Sequence, residues 1–144
     1  EILRMRRKFE SERVKRGKGL DLKLSKGGLA EIEFLVQVLQ LKDVGRGIGL
    51  STFSSLGQLA EKKILTRSDA RKLLSNYGFL RTMELMIRLN SQSGGAEYPD
   101  DKKNRKQLAS GLGEKSEKAL LARTRRILME NRRMFLKALS SAAT

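Results

Sequence analysis

The feature that most constrains this chain is a helical periodicity that a single proline interrupts. Pro99 is the one proline among 144 residues, while apolar side chains recur three and four positions apart through most of the sequence. Proline removes a backbone donor and clashes with the preceding helical turn, so its near-absence lets long helices continue. The pattern predicts an all-α fold, a helical bundle of about five to six helices.

Helix boundaries can be predicted from start and stop signals along the chain. After residue 28, helical patterns cover about residues 29–42, 53–63, 69–90, 100–112 and 115–139. Side chains able to cap a helix N-terminus precede three of these patterns, namely Ser51 or Thr52, Thr66 or Ser68, and Asp100 or Asp101. The pattern over residues 29–42 is apolar on nearly every side, which predicts a central, buried helix.

The first 28 residues follow a different pattern. Residues 1–16 read as a basic helix, and glycines then end it. Leucines alternate with polar residues near Leu20–Leu24, which predicts one short strand-like segment. Because a lone strand cannot satisfy its own backbone, we expect its partner in a domain upstream of this chain. Residues 1–28 would then be a connecting helix, strand and Gly-Gly turn, and residues 29–144 the helical bundle.

Composition excludes several kinds of chemistry. The chain has no cysteine and no histidine, which removes disulfides, thiolate metal sites and histidine-dependent nucleophilic catalysis. Lys and Arg number 31 against 16 Asp and Glu, for a formal charge of +15. This excess favours an anionic partner or neighbouring domain, or else a solvated basic face. No signal peptide or membrane-spanning run is visible, and we expect a cytoplasmic protein without a membrane partner.

An alternative function is nucleic-acid binding. Residues 55–74 superficially read as a helix-turn-helix, with Arg67, Arg71 and Lys72 near the start of the second helix. That helix, however, continues with apolar residues on much of its surface, and the seven aromatic residues, five Phe and two Tyr, are too few for single-strand stacking platforms. We therefore expect no specific nucleic acid. A third alternative is a bundle that docks an acidic protein.

One stretch of the sequence resembles a known family. Residues 21–42 read DLKLSKGGLAEIEFLVQVLQLK, similar to glutamine synthetase adenylyltransferases, in which a DxK stretch precedes a helix beginning GG and containing IEF and VQ. The matching residues are Asp21, Lys23, Gly27, Gly28, Glu31, Ile32, Glu33, Phe34, Val36 and Gln37. The blocks NYGFLRTMELMIRL and YPDDKKNRKQLASGLG, and the opening LRMRRKF, also suit that family, so the resemblance spans nearly the whole chain.

The resemblance implies a bifunctional glutamate-ammonia ligase adenylyltransferase and adenylyl-tyrosine phosphorylase, with two nucleotidyltransferase domains each followed by a helical bundle. Such an enzyme transfers AMP from ATP to a tyrosine of glutamine synthetase, or removes it by phosphorolysis. Its cofactors are Mg²⁺ and ATP, and its partners are glutamine synthetase and the PII signal protein. This chain would be the helical domain after a nucleotidyltransferase domain, inactive alone and without a cofactor of its own. Glu31 within EIEF is more similar to the deadenylylating half, whereas LDLK and the basic opening helix are more similar to the adenylylating half, so both assignments stay open.

The glycine pair and two nearby lysines are the candidate phosphate-proximal residues. Gly27 and Gly28 would bring backbone N–H groups to a phosphate at a helix N-terminus. The alternative is a tight turn that needs positive φ. Lys23 and Lys26 would neutralise a phosphate, or simply be solvated.

Two glutamates are the only acidic candidates for catalysis, and we expect neither to be catalytic or to bind a metal. Glu31 and Glu33 are two positions apart on a helix, so they point to different sides. Glu31 is expected to complement the helix dipole in the first turn. Glu33 is expected to hydrogen bond within a polar seam with Gln37 and Gln40.

Overall fold

The computed structural model describes Arg4 and residues 20–42, 51–90 and 97–142. Every regular element within these residues is a helix, in the order α1 (Leu29–Lys42), α2 (Thr52–Glu61), α3 (Arg67–Asn90), α4 (Lys102–Gly111) and α5 (Glu117–Ala142). The predicted all-α bundle is therefore confirmed. The helix predicted over residues 1–16 lies outside the described residues, apart from Arg4.

The first helix is the centre of the bundle, as its apolar pattern predicts. Leu29, Ile32 and Leu35 are almost fully buried, and α1 contacts α2, α3 and α5. Burying a leucine or isoleucine side chain contributes about 1.5–3 kcal/mol. The burial of these side chains therefore fixes α1 in the centre of the bundle, directly after the glycine turn.

The two longest helices, α3 and α5, run antiparallel along one another. Asp69 at the start of α3 pairs with Lys137 near the end of α5 at 3.7 Å. Phe79, farther along α3, lies under the guanidinium of Arg123, which is 4.2 Å from the ring centroid. Contacts at these two positions fix the register of the two helices.

Capping side chains define where the helices begin. The caps, each accepting a backbone N–H three residues on, are Ser51 (3.2 Å), Thr66 (3.1 Å), Asp101 (3.1 Å) and Ser116 (3.1 Å). Each such cap contributes about 0.5–2 kcal/mol. The first three lie among the predicted capping residues, whereas Ser116 starts α5 two positions later than predicted.

The predicted strand near Leu20–Leu24 is wrong. Residues 22–24 form turns, in which the Asp21 carboxylate accepts the N–H groups of Lys23 at 2.8 Å and Leu24 at 3.0 Å. An aspartate side chain that binds the following backbone competes with strand pairing. A single antiparallel bridge joins Asp21 to Glu97. The backbone partner of Asp21 therefore lies within this chain. The domain boundary at residue 28 stays a prediction.

Among the described residues, no helix combines the length and the apolar character that crossing a bilayer requires.

Candidate functional site

The turn before α1 depends on two glycines for different reasons. Gly27 has φ +78°, and a Cβ atom there would lie 1.9 Å from the carbonyl oxygen of Leu128. Gly28 lies outside the positive-φ region, but its Cβ would lie 2.6 Å from the carbonyl oxygen of Leu22. The positive φ predicted for the pair is therefore found at Gly27 alone, whereas crowding by backbone atoms constrains both positions.

The backbone N–H groups at the start of α1 already have acceptors. Residues 27–30 donate in turn to the Glu31 carboxylate at 2.7 Å and to the carbonyl oxygens of Ser25 at 2.8 Å, Leu22 at 2.9 Å and Lys23 at 3.0 Å. An anion at this helix N-terminus would have to displace one of these bonds. Lys23 and Lys26 are the exposed members of the predicted phosphate-proximal set, while Gly27 and Gly28 are buried.

Glu31 lies in the first turn of α1 and joins the turn to α5. One of its oxygens accepts the Gly27 N–H, and the other pairs with the guanidinium of Arg132. The two side chains are 11% and 14% exposed, so both charges are largely removed from water. Such a pair is stable only when both partners are present, because either charge alone would be buried without compensation.

A chain of side-chain amides continues from the turn to α3. The Asn131 amide donates to the Gly27 carbonyl oxygen at 2.8 Å, and the Asn76 amide donates to the Asn131 oxygen at 2.9 Å. We call Gly27, Glu31, Asn76, Asn131 and Arg132 the turn-locking network. Because its buried hydrogen-bonding groups are paired, the network specifies one arrangement of the turn, α3 and α5.

Glu33 faces a different partner from the one predicted. It accepts the hydroxyl of Tyr77 at 2.9 Å, and the Gln40 amide donates to the Ser55 hydroxyl at 2.8 Å. The expected seam with Gln37 is therefore wrong, because Gln37 is exposed while Glu33 and Gln40 contact α3 and α2. Burial raises the pKa of Tyr77 above its ordinary value, and the Glu33 carboxylate raises it further.

The two glutamates are held by different partners. Glu31 is held by Gly27 and Arg132, and Glu33 by Tyr77. Across residues 20–42, 51–90 and 97–142, no group of three or more His, Cys, Asp or Glu side chains is placed to hold a metal ion.

A third acidic residue, Glu84, is also held by basic neighbours. It lies 3.0 Å from Arg81 and 3.6 Å from Arg88 on the same helix. These spacings are those at which helix ion pairs form, so the role of Glu84 in this part of the chain is structural.

Sequence reasoning missed most of the turn-locking network. Asn76, Asn131 and Arg132 lie 45 or more residues from the glycine turn, and helical periodicity does not encode contacts between helices. One signal was present in the sequence. Asn76 and Asn131 occupy positions within apolar helix faces, and a buried amide in such a place needs a hydrogen-bond partner.

Comparison with known proteins assigns this helical bundle to a known family. The chain belongs to the family described as GlnD PII-uridylyltransferase, whose model matches residues 3–139. Among curated proteins, the chain is 33% identical over 112 residues to the bifunctional glutamine synthetase adenylyltransferase/adenylyl-removing enzyme of Hahella chejuensis. It is 36% identical over 113 residues to the protein of the same name from Mannheimia succiniciproducens.

These matches confirm the resemblance seen in the sequence. Each covers 76% of this chain but only 12% of the relative, so the chain spans about an eighth of the length of these curated relatives. The activity, substrates and partners of the whole relatives are therefore proposals for this chain.

Proposed function

We propose that this chain is a non-catalytic helical segment of a cytoplasmic enzyme that transfers AMP from ATP to a tyrosine of glutamine synthetase, removes it by phosphorolysis, or does both. Such an enzyme would regulate nitrogen assimilation. The observation that carries the proposal is the similarity over 76% of the chain to two proteins named for adenylylation and adenylyl removal.

The acidic residues support a non-catalytic role for this segment. Nucleotidyl transfer with Mg²⁺ and ATP uses carboxylates placed to share metal ions. Glu31 and Glu33 do not fit that use, because one is bound to Arg132 and the other to Tyr77. In the proposed enzyme, the carboxylates that hold Mg²⁺ would therefore belong to a nucleotidyltransferase domain.

The glycine turn is the part of the segment best suited to influence an adjoining domain. Lys23 and Lys26 are exposed on a turn whose backbone is fixed by Asp21, Glu31 and the tightly packed glycines. A rigid turn fixes the backbone of the two lysines, so that only their side chains have to be ordered on binding. We propose that these lysines lie near the nucleotide or phosphate in the intact enzyme. Glutamine synthetase and PII are its proposed protein partners.

The helix-turn-helix alternative has less support. The helix that would read DNA, α3, contacts α1, α2, α4 and α5. It buries eight residues between Ala70 and Ile87. A recognition helix instead presents a face that is free to enter the major groove.

A chimera tests the proposed function. In the enzyme of Hahella chejuensis, this chain would replace the matching segment of 112 aligned residues. We expect the chimera to transfer labelled AMP from ATP to glutamine synthetase and to remove it, and this chain alone to do neither. A folded chimera that is inactive in both directions, or activity from the chain alone, would contradict the proposal.

A further inference from the structure

The outer side of α5 carries a regular stripe of exposed side chains. Residues three and four positions apart lie one above another on a helix. At that spacing, the exposed residues of α5 are, in chain order, Lys118, Ala122, Arg125, Met129, Arg133, Leu136 and Ser140. We call these residues the α5 stripe. At about 1.5 Å per residue, it is about 33 Å long.

The apolar members of the α5 stripe recur every seventh residue. Ala122, Met129 and Leu136 are separated by two helical turns each. Met129 is 73% exposed and Leu136 is 41% exposed. One exposed apolar side chain is ordinary on a protein surface. A row of them with a period of seven, however, is the pattern by which one helix packs along another.

Basic side chains surround this apolar row on the outer side of α5. The exposed cations are Lys118, Arg125, Arg126 and Arg133. None of the four forms an ion pair within the part of the chain that the structure describes. Their charges are therefore available to an anionic partner.

The acidic residues of α5 do not oppose these cations. Glu117 pairs with Arg105 at 2.5 Å. Glu130 accepts the amide of Asn76 at 3.2 Å and lies 4.0 Å from Lys72, and its side chain is 25% exposed. Neither glutamate belongs to the α5 stripe, so the outer side of α5 carries one sign of charge. Such a surface attracts an acidic partner and repels a second copy of itself.

We propose that the α5 stripe docks an acidic amphipathic helix of a partner protein. Apolar residues of the partner, seven positions apart, pack on Met129 and Leu136. The carboxylates between them pair with Arg125, Arg126 and Arg133. An apolar row with charged flanks selects both the helical form and the register of its partner. This docking surface does not depend on the proposed activity of a larger enzyme.

The first test uses a fluorescein-labelled peptide of three heptads. Each heptad has leucine in the first position, glutamate in the fourth and fifth, and alanine or glutamine elsewhere, so that leucine and glutamate share one helix face. The control peptide carries the glutamates in the second and sixth positions, which keeps composition and charge but moves the carboxylates away from the leucines.

We expect the first peptide to bind the full 144-residue chain saturably at one site. The control peptide should bind at least about 10-fold more weakly, because it cannot make the apolar and the ionic contacts together. Equal binding of the two peptides, or no saturation by the first, would overturn the proposal.

Charge variants distinguish the α5 stripe from the general positive charge of the chain. Arg126→Gln combined with Arg133→Gln should weaken binding of the first peptide about 5- to 20-fold and lower its salt dependence. Lys102→Gln combined with Lys103→Gln removes the same two charges from the exposed side of α4 and should change affinity less than about 2-fold. Equal losses would show attraction by net charge alone, and the proposed surface would be rejected.

Apolar variants test the other half of the contact. Met129→Gln should weaken the first peptide about 3- to 10-fold, and Ala122→Leu should strengthen it about 2- to 5-fold because the apolar row becomes longer. Leu89→Gln, at a site 76% exposed on α3, is the control that should leave affinity unchanged. All three positions are exposed, so circular dichroism should match the parent. Unchanged affinity in both α5 variants would contradict a packed helix.

Other anionic macromolecules provide the last test. Duplex DNA of random sequence and vesicles with anionic lipid compete against the labelled peptide at the same salt concentration. Neither should displace it at equal concentration of charge, because neither presents an apolar row to Met129 and Leu136. Displacement that is lost in the Arg126→Gln, Arg133→Gln variant would instead make the stripe a nucleic-acid or lipid surface, and the acidic helix would be rejected.

Discussion

The side-chain amide of Asn131 donates a hydrogen bond to the carbonyl oxygen of Gly27 at 2.8 Å, across 104 residues of sequence. Gly27 cannot carry a side chain because α5 passes directly over it. The same helix that excludes a Cβ atom thus also supplies the donor that satisfies the turn. The glycine turn and the last helix therefore form one packed unit, held by a steric contact and by hydrogen bonds.

Gly27→Ala should destabilise the chain by about 3–5 kcal/mol, because it combines an unfavourable φ with a collision against the Leu128 backbone. Gly113→Ala is the matched control. Gly113 has φ +74°, close to the +78° of Gly27, but a Cβ atom added there would have no neighbour within 4 Å. We expect it to cost about 1–2 kcal/mol. Urea unfolding measures both, and similar losses would show that Leu128 moves freely out of the way.

Arg132→Met should cost about 3–5 kcal/mol, because it leaves the largely buried Glu31 carboxylate without its cation. The control is Lys137→Met, which breaks the pair with Asp69 on the surface, where Lys137 is 74% exposed. Exposed pairs contribute about 0–1 kcal/mol. Thermal and urea unfolding compare the two variants. A loss below about 1 kcal/mol for Arg132→Met would mean that water or another cation replaces the arginine.

The two tyrosines should make the chain less stable in strong base. Burial raises the pKa of Tyr77 and of Tyr98 above the ordinary value of 10.0. The folded chain therefore keeps the protons longer than the unfolded chain, and this contribution is complete below pH 10 and lost as pH rises through the folded pKa values.

Absorbance at 295 nm checks this directly, because the chain has two tyrosines and no tryptophan. Phenolate formation should occur at higher pH in the native chain than in urea. Above pH 10 the free energy of unfolding should fall by at most about 1.4 kcal/mol per pH unit for each tyrosine. Tyr77→Phe should remove the part of this fall that Tyr77 causes. Identical titrations of native and unfolded chain would contradict the burial of both hydroxyls.

The parts of the fold that could be predicted from sequence are those encoded locally. Helical spacing predicted α1 to its observed bounds, and the caps Ser51 and Asp101 were among the predicted residues. The alternation of leucines near Leu22 wrongly predicted a strand. The Asp21 side chain accepts hydrogen bonds from the backbone that follows it, and this backbone forms turns instead. The competition between these side-chain hydrogen bonds and strand pairing depends on side-chain geometry, which an alternating sequence pattern does not reveal.

The candidate site was predicted less completely than the fold. Gly27, Gly28 and Glu31 were identified because they are adjacent in sequence, but Arg132 and Asn131 were not. Their contacts with the turn depend on how α5 packs across α1, over more than 100 residues. The predicted partner of Glu33 was wrong for the same reason, because Tyr77 belongs to a different helix.

Asn131→Ala should cost about 2–4 kcal/mol, because it leaves the Gly27 carbonyl and the Asn76 amide with fewer partners in a buried place. Asn76→Ala should cost less, since Glu130 is its other partner and is partly exposed. Combined, the two substitutions should be less damaging than the sum of their separate effects. Additive losses in urea unfolding would show that the amides act independently. Asn90→Ala, at the exposed end of α3, is the neutral control.

The last prediction concerns Lys23 and Lys26 in the chimera with the Hahella chejuensis enzyme. If these exposed lysines approach a nucleotide or phosphate, replacing both with alanine should raise KM for ATP, or for phosphate in the reverse reaction, about 10-fold, because two charge-assisted contacts are lost. Melting temperature should stay unchanged, since both side chains are exposed and form no ion pair within the described residues. Replacing Lys102 and Lys103 with alanine, both exposed on α4, removes the same two charges and is the control. An unchanged KM in both directions would leave Lys23 and Lys26 as solvated residues on a structural turn, while a KM raised equally by the control variant would point to net charge alone.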